Sequence, residues 1–194
     1  MGLIELKTLS ALKSDLESDI VKLNNAIRNE SILLAKNDQL IKILKDDQSV
    51  YHDSLLSKFG SMESYNLFVP KKLAYESLKS SGLEIISNDS LLMELTLLYD
   101  EHYSSNDILT DTKKELFSNS FSVITKHFET GNKTFTKKPN DFEALKQDQE
   151  FMNFFTYSTE LRRFILENWY KKNLLPKTIT LKEKIEQEID AKTN

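Results

Sequence analysis

Cysteine is absent from the sequence, which excludes disulfides, thiolate metal sites and cysteine nucleophiles together. Turn-forming residues are scarce as well, with four glycines and three prolines in 194 residues. Glycines so few and so isolated build no phosphate-cradling loop, and GSMES at Gly60 is not G-x-S-x-G. No Asn-Gly or Asp-Gly hairpin signal and no sustained period-2 run is present. No stretch of about 18 apolar residues occurs, so nothing in the chain spans a membrane as a helix, and no signal-peptide pattern opens it. A basic block is missing too. The 26 Lys and Arg and 30 Asp and Glu are spread along the chain, for a net charge of −4, which gives no nucleic-acid footprint.

What remains points to helices. Apart from Gly2, the breakers fall at Gly60, Pro70, Gly82, Gly131, Pro139 and Pro176, each where a helix should stop or start. The chain therefore reads as all-α, an elongated bundle of five to seven helices with one long N-terminal helix and an antiparallel long partner. It reads as a single helical domain over 1–194, with the long helix in 1–45 and a helical body in 46–194. A compact domain of this length buries roughly 70% of the surface its unfolded chain exposes, so it needs no staple.

The first helix is predicted over about residues 3–45. Leu16, Ile20, Leu23, Ile27, Leu34 and Ile41 give it a narrow apolar stripe at three-and-four spacing, with Lys13, Asp15, Lys22, Asn25 and Lys36 opposite. At 1.5 Å per residue it extends on the order of 60 Å, so it should project or pair with an equally long partner. No Ser, Thr, Asp or Asn cap precedes Leu6, which predicts that the native chain continues upstream.

Val50, Tyr51, Leu55, Leu56 and Phe59 suggest a short helix ending at Gly60, then a loop over 61–66. Pro70 opens the next helix, predicted over 70–81, and Gly82 supplies its left-handed stop. Leu83, Ile85 and Ile86 form an apolar elbow, and Asn88 or Asp89 caps the following helix. That helix carries Leu91, Leu95, Leu98, Tyr99 and Tyr103. Its stripe continues through Leu109, Leu116, Phe117, Phe121, Ile124 and Phe128 to Gly131, unless Ser104 to Asp107 break it. Unbroken, it matches the first helix in length and would return antiparallel along it. Residues 132–140 read as a loop, Asn140 with Glu143 as a capping box, and Asp148 as the cap of an aromatic-rich helix. Pro176 should end the connection after that helix, and Thr180 with Glu183 should cap a final one.

Chemistry-bearing patterns are few. His52, His102 and His127 are scattered without metal-ligand spacing. His102 lies near Glu94, Asp100 and Glu101, a grouping that would matter if two or more of these residues were buried together. Otherwise it is a histidine on a helix surface among acids. Asp46-Asp47 and Asp100-Glu101 are adjacent acids of the kind 30 carboxylates produce by chance. NDILTDTKKELF lacks the glycine of a calcium loop. Phe154, Phe155, Tyr157, Trp169 and Tyr170 with Arg162, Arg163, Lys171 and Lys172 offer an interaction surface. The simpler reading makes the phenylalanines core and the basic residues a solvated rim. No catalytic residue, cofactor or metal site is assigned, and no enzyme activity is expected.

In LAYESLKSSGLEIISNDSLLMELTLLYDEHY the chain resembles a family of uncharacterised bacterial proteins with one N-terminal transmembrane helix followed by an all-helical domain. The resemblance rests on Tyr75, Leu78, Lys79, Ser81, Gly82, Ile85, Ile86, Asn88, Asp89 and Leu91. It extends to Asp148-Gln149-Glu150-Phe151 and the charged C-terminal helix. It implies that this chain is the soluble part of an inner-membrane protein, facing the periplasm if the basic side of the anchor stays inside. It implies no activity. The expected function is a non-catalytic, membrane-tethered interaction or scaffold module, with protein partners or self-association through its helices. The alternative is a ligand-sensing or small-molecule-binding bundle around Tyr99, His102 and Tyr103.

Overall fold

The computed structural model describes residues 2–129 and 137–193. The expected stop at Gly131 and the start of the loop over 132–140 lie outside the described residues. The rest is an all-α bundle. In order come α1 (Gly2–Leu44), α2 (Leu56–Gly60), α3 (Leu73–Ser81), α4 (Asp89–Thr96), α5 (Tyr103–Asn119), α6 (Phe121–His127), α7 (Phe142–Gln147), α8 (Gln149–Phe164) and α9 (Leu175–Thr193). A π-helical turn, Leu97–His102, joins α4 to α5, and a longer one, Ile165–Leu174, joins α8 to α9. Extended pairing among the described residues is limited to one isolated antiparallel bridge, Phe128 to Pro139.

The seam of α1 differs from the expected stripe. Its buried residues are Glu5, Leu9, Leu12, Leu16, Asp19, Leu23, Ala26, Glu30, Leu34, Asn37, Leu40 and Leu44, a heptad-like progression. Ile20, Ile27 and Ile41 flank it half-buried. Four seam positions hold polar residues, so apolar periodicity alone pulled the expected stripe toward the flanking isoleucines.

The chain forms two compact units. The first comprises Met1–Ile27, Leu67–Thr110 and Asn168–Asn194. In it the chain runs back along α1: Lys71 meets Asp19, Ala74 meets Asp15, and Ser87 meets Glu5. The elbow then reverses direction, and Tyr103 reaches Asp19, so α4 and the start of α5 run parallel to α1, not antiparallel. The antiparallel long partner is the C-terminal run, where Glu186 pairs with Lys13 and Lys192 with Glu5. Tyr75 stacks on Tyr99 with centroids 4.4 Å apart. Tyr99 meets Tyr103 edge-on at 5.1 Å, and Phe68 touches both Tyr103 and Tyr170.

The second unit comprises Arg28–Asn66 and Asp111–Glu167. Its core is rich in phenylalanine: Phe59, Phe128, Phe142, Phe151 and Phe155 pack with Leu40, Leu44, Leu55 and Ile124. The core reading of the aromatic helix therefore holds for Phe155 and, in the first unit, Tyr170, while Phe154 is half-buried and Tyr157 exposed.

Local rules account for several boundaries. Asn88 and Asp148 cap α4 and α8 as expected, accepting from the N–H groups of Leu91 and Phe151. Gly82 ends α3, but with φ 112° and ψ 125° it lies outside the left-handed helical region, in space that a side chain rarely adopts. Only Ile86 of the elbow is fully buried; Leu83 and Ile85 are half-buried in a 3₁₀ turn. Helix α3 starts at Leu73, not Pro70; Asp19 accepts from the Lys71 N–H ahead of it and Asp15 from the Ala74 N–H in its first turn. Asp141, not Asn140, caps α7.

The π turns explain two further corrections. From α4 into the π turn the buried positions run Leu91, Leu95 and Leu98, which would continue to 102, 105 and 109. The wider turn adds a residue, and burial resumes at Tyr99, Tyr103, Asn106, Thr110 and Lys113. Leu109, Leu116 and Phe117 are thus only half-buried and Phe121 is exposed, while residues 104–107 stay helical. Pro176 does not end a helix, since the π segment runs directly into α9 and Thr180 is helical. Proline lacks an N–H and clashes with the carbonyl four residues back, and the wider turn before it provides the relief that a regular helix lacks.

Candidate functional site

Three carboxylates on the α1 seam take up backbone N–H groups that no helix satisfies. In the first unit Glu5 accepts from the N–H and hydroxyl of Ser87, each at 2.8 Å. Burial works against its charge, but the Ser87 bonds and Lys192 more than offset that and hold its carboxyl below the ordinary range. Asp19 accepts the Lys71 N–H with both oxygens, at 2.9 and 3.1 Å, and the Tyr103 hydroxyl at 3.1 Å. Here burial wins, and the carboxyl is raised. Asp15, at the seam's edge, accepts from the Ala74 N–H.

In the second unit Glu30 does the same for Asn66 N–H. It also binds Lys113 Nζ at 2.9 Å and the Arg162 guanidinium at 2.8 Å. All three side chains are at most 4% exposed. Arg162, expected on a solvated rim, is among the most buried large side chains of the protein and also donates to the Ser64 carbonyl. Burial pulls the Lys113 ammonium down against the pull of Glu30. The cluster carries two cations on one carboxylate, and it ties the 61–66 loop to α1, α5 and α8. A buried Arg, Lys and Glu are rarely legible in a sequence, because each is ordinarily a surface residue.

The acids grouped with His102 in the sequence are separated. Asp100 turns to the Tyr75 hydroxyl and Lys79, Glu101 is exposed, and Glu94 pairs with Lys184 at 2.5 Å. No two of them share a buried cluster. Tyr99 and Tyr103 are core residues, and burial raises both phenols far above their ordinary value. His102 Nε2 lies 2.7 Å from Lys177 Nζ, and burial, then Lys177, lowers its imidazole. His52 is exposed beside Ser54. His127 is buried, with Nε2 3.1 Å from Asp148 but outside hydrogen-bonding geometry. Asp46 closes a turn by accepting from Gln48 and Ser49. Among the described residues no group of three His, Asp or Glu has metal-binding geometry.

The first unit carries several clefts, one of them a polar one of about 300 Å³ between Asn88 and Glu188; two others have apolar walls. One, of about 490 Å³, lies between α1 and α3. Its lining combines small side chains, Thr8, Ala11, Ser14, Ala74 and Ser77, with the aliphatic Ile4, Leu73, Leu78 and Ile85, of which Leu78 is buried and Ile85 half-buried. Ile4 is 61% and Leu73 78% exposed. The other, of about 270 Å³, lies between the first π turn and α9, and Glu94 and His102 both line it. The second unit has a cleft of about 530 Å³ between α1 and the 60–66 segment.

Comparison with protein families, with curated proteins and with solved structures finds no match to this chain.

Proposed function

We propose that the protein is a non-catalytic helical interaction module whose contact face in the first unit is the groove between α1 and α3. The observation that carries this reading is the groove's cross-section. Small residues on two antiparallel helices line a cleft that a third helix can approach closely, and the large, exposed side chains of Ile4 and Leu73 stand beside them. This is the helix-in-groove mode of recognition.

The occupant is an amphipathic helix of a partner protein. A second copy using the same groove would set two concave faces against each other, whereas a closed symmetric dimer needs a self-complementary patch. Tethering by a membrane anchor that this chain does not contain rests on the family resemblance, and so does a periplasmic location. That part of the reading expects about 20 apolar residues directly upstream in the full reading frame.

A photo-cross-linking residue at position 73, used in cells, tests the groove. The expected result is one discrete adduct that disappears when Ile4→Asp is added, while the circular dichroism spectrum stays unchanged. Adducts that persist with Ile4→Asp, or none at position 73 against a band from an exposed control site, would contradict the reading.

A further inference from the structure

The smaller cleft of the first unit carries a separate inference. Its walls are apolar where the π turn brings Leu97 and Leu98 opposite Pro176 and Leu181. At one end stand His102 and Lys177, and their contact fixes a chemical state. An ammonium only donates, so Nε2 of His102 must accept from Lys177, which leaves the imidazole neutral with its proton on Nδ1. Lys177 spends one N–H on that bond. Among the described residues it forms no ion pair with a carboxylate, since Glu94, the acid lining the cleft, is held by Lys184. A cation with two N–H groups to offer thus borders an apolar cleft, and its nearest partner is a neutral base. Apolar walls with one convergent polar end are the usual make-up of a small-molecule site.

We propose that this cleft binds a small amphipathic monocarboxylate, its hydrocarbon body against Leu97, Leu98, Pro176 and Leu181 and its carboxylate on Lys177. At about 270 Å³ the cleft admits a short acyl or aryl acid and not a nucleotide or a long lipid. One cation suits one negative charge. The His102 bond keeps the lysine at the cleft mouth and so organises the site ahead of binding.

Hexanoate, with its uncharged counterpart hexanamide, is the probe. Both are titrated into the full chain and followed by amide NMR shifts and calorimetry. The expected result is saturable hexanoate binding with shifts concentrated at Leu97, Leu98, His102 and Leu181. Hexanamide should bind at least tenfold more weakly, and Lys177→Gln should weaken hexanoate at least tenfold while leaving hexanamide unchanged. Lys177 is exposed, so its substitution spares the core. Equal binding of the two probes, an unaltered hexanoate affinity in Lys177→Gln, or no saturation by about 10 mM, equivalent to less than about 3 kcal/mol, would overturn the proposal.

Discussion

Replacing Glu30 by Gln keeps the shape of the side chain and a carbonyl acceptor for Asn66 N–H but removes the one negative charge in a buried cluster of three. Lys113 and Arg162 are then left without a counter-ion, both at most 4% exposed. They differ in how they can respond. Lys113, whose ammonium burial already disfavours, escapes by losing its proton. Arg162 has no such route, because a guanidinium stays charged. The cost is therefore set by one buried, uncompensated arginine, about 3–5 kcal/mol. A domain's total stability is about 5–15 kcal/mol. For a chain of this size the loss is a fall in Tm of roughly 6–20 °C. Lys113→Met makes the opposite change, leaving Glu30 and Arg162 as a one-to-one pair with a desolvated cation removed, and should cost no more than about 1 kcal/mol. Urea denaturation followed by circular dichroism, comparing midpoints at constant slope, measures both. If Glu30→Gln costs under about 1 kcal/mol, or Lys113→Met costs as much as Glu30→Gln, the excess-cation account of the cluster is wrong.

Two buried or capping acids should give opposite pH signatures. Asp148 is held far below its ordinary value of 3.8, chiefly by Lys126 and by the Phe151 N–H. Its contribution is complete above about that value and is lost as pH falls below it, so the advantage of wild type over Asp148→Asn should shrink on acidification. Asp19 is raised above 3.8 because burial outweighs its hydrogen bonds. Its folded state holds a proton that the unfolded chain has released, so wild type should lose ground to Asp19→Asn as pH rises from about 3.8 through the folded value. Urea midpoints at a series of pH values report both, and parallel curves for wild type and either variant would contradict the assignment.

Much of the fold was legible because a chain with so few breakers has few places to turn. The all-α class follows from that scarcity, and the N-caps at Asn88 and Asp148 and the stop at Gly82 each follow from one residue's local chemistry. What was misread has two physical sources. The seam of α1 carries Glu5, Asp19, Glu30 and Asn37 inward, and a search for apolar periodicity moves to the half-buried isoleucines beside them. The first π turn adds a residue to the repeat, which moved the expected stripe of α5 onto Leu109 and Leu116 instead of Asn106 and Lys113. The second lets Pro176 sit inside a continuous helix. The site expectations fared similarly. His102 does line a cleft, but its partner is Lys177, 75 positions along the chain. That pairing depends on tertiary packing and leaves no local trace in the sequence.

The central structural claim is that acids on the seam of α1 hold the non-helical segments of the chain by accepting their backbone N–H groups. Amide hydrogen exchange by NMR reads this at Ser87, Lys71 and Asn66, the donors to Glu5, Asp19 and Glu30. All three amides lie outside helices and have no other reason to be slow. They should be protected in the wild type, and Ser87, Lys71 and Asn66 should each lose protection selectively in Glu5→Ala, Asp19→Ala and Glu30→Ala respectively. Exchange of these three amides at the rate of an unstructured peptide in the wild type would contradict the account.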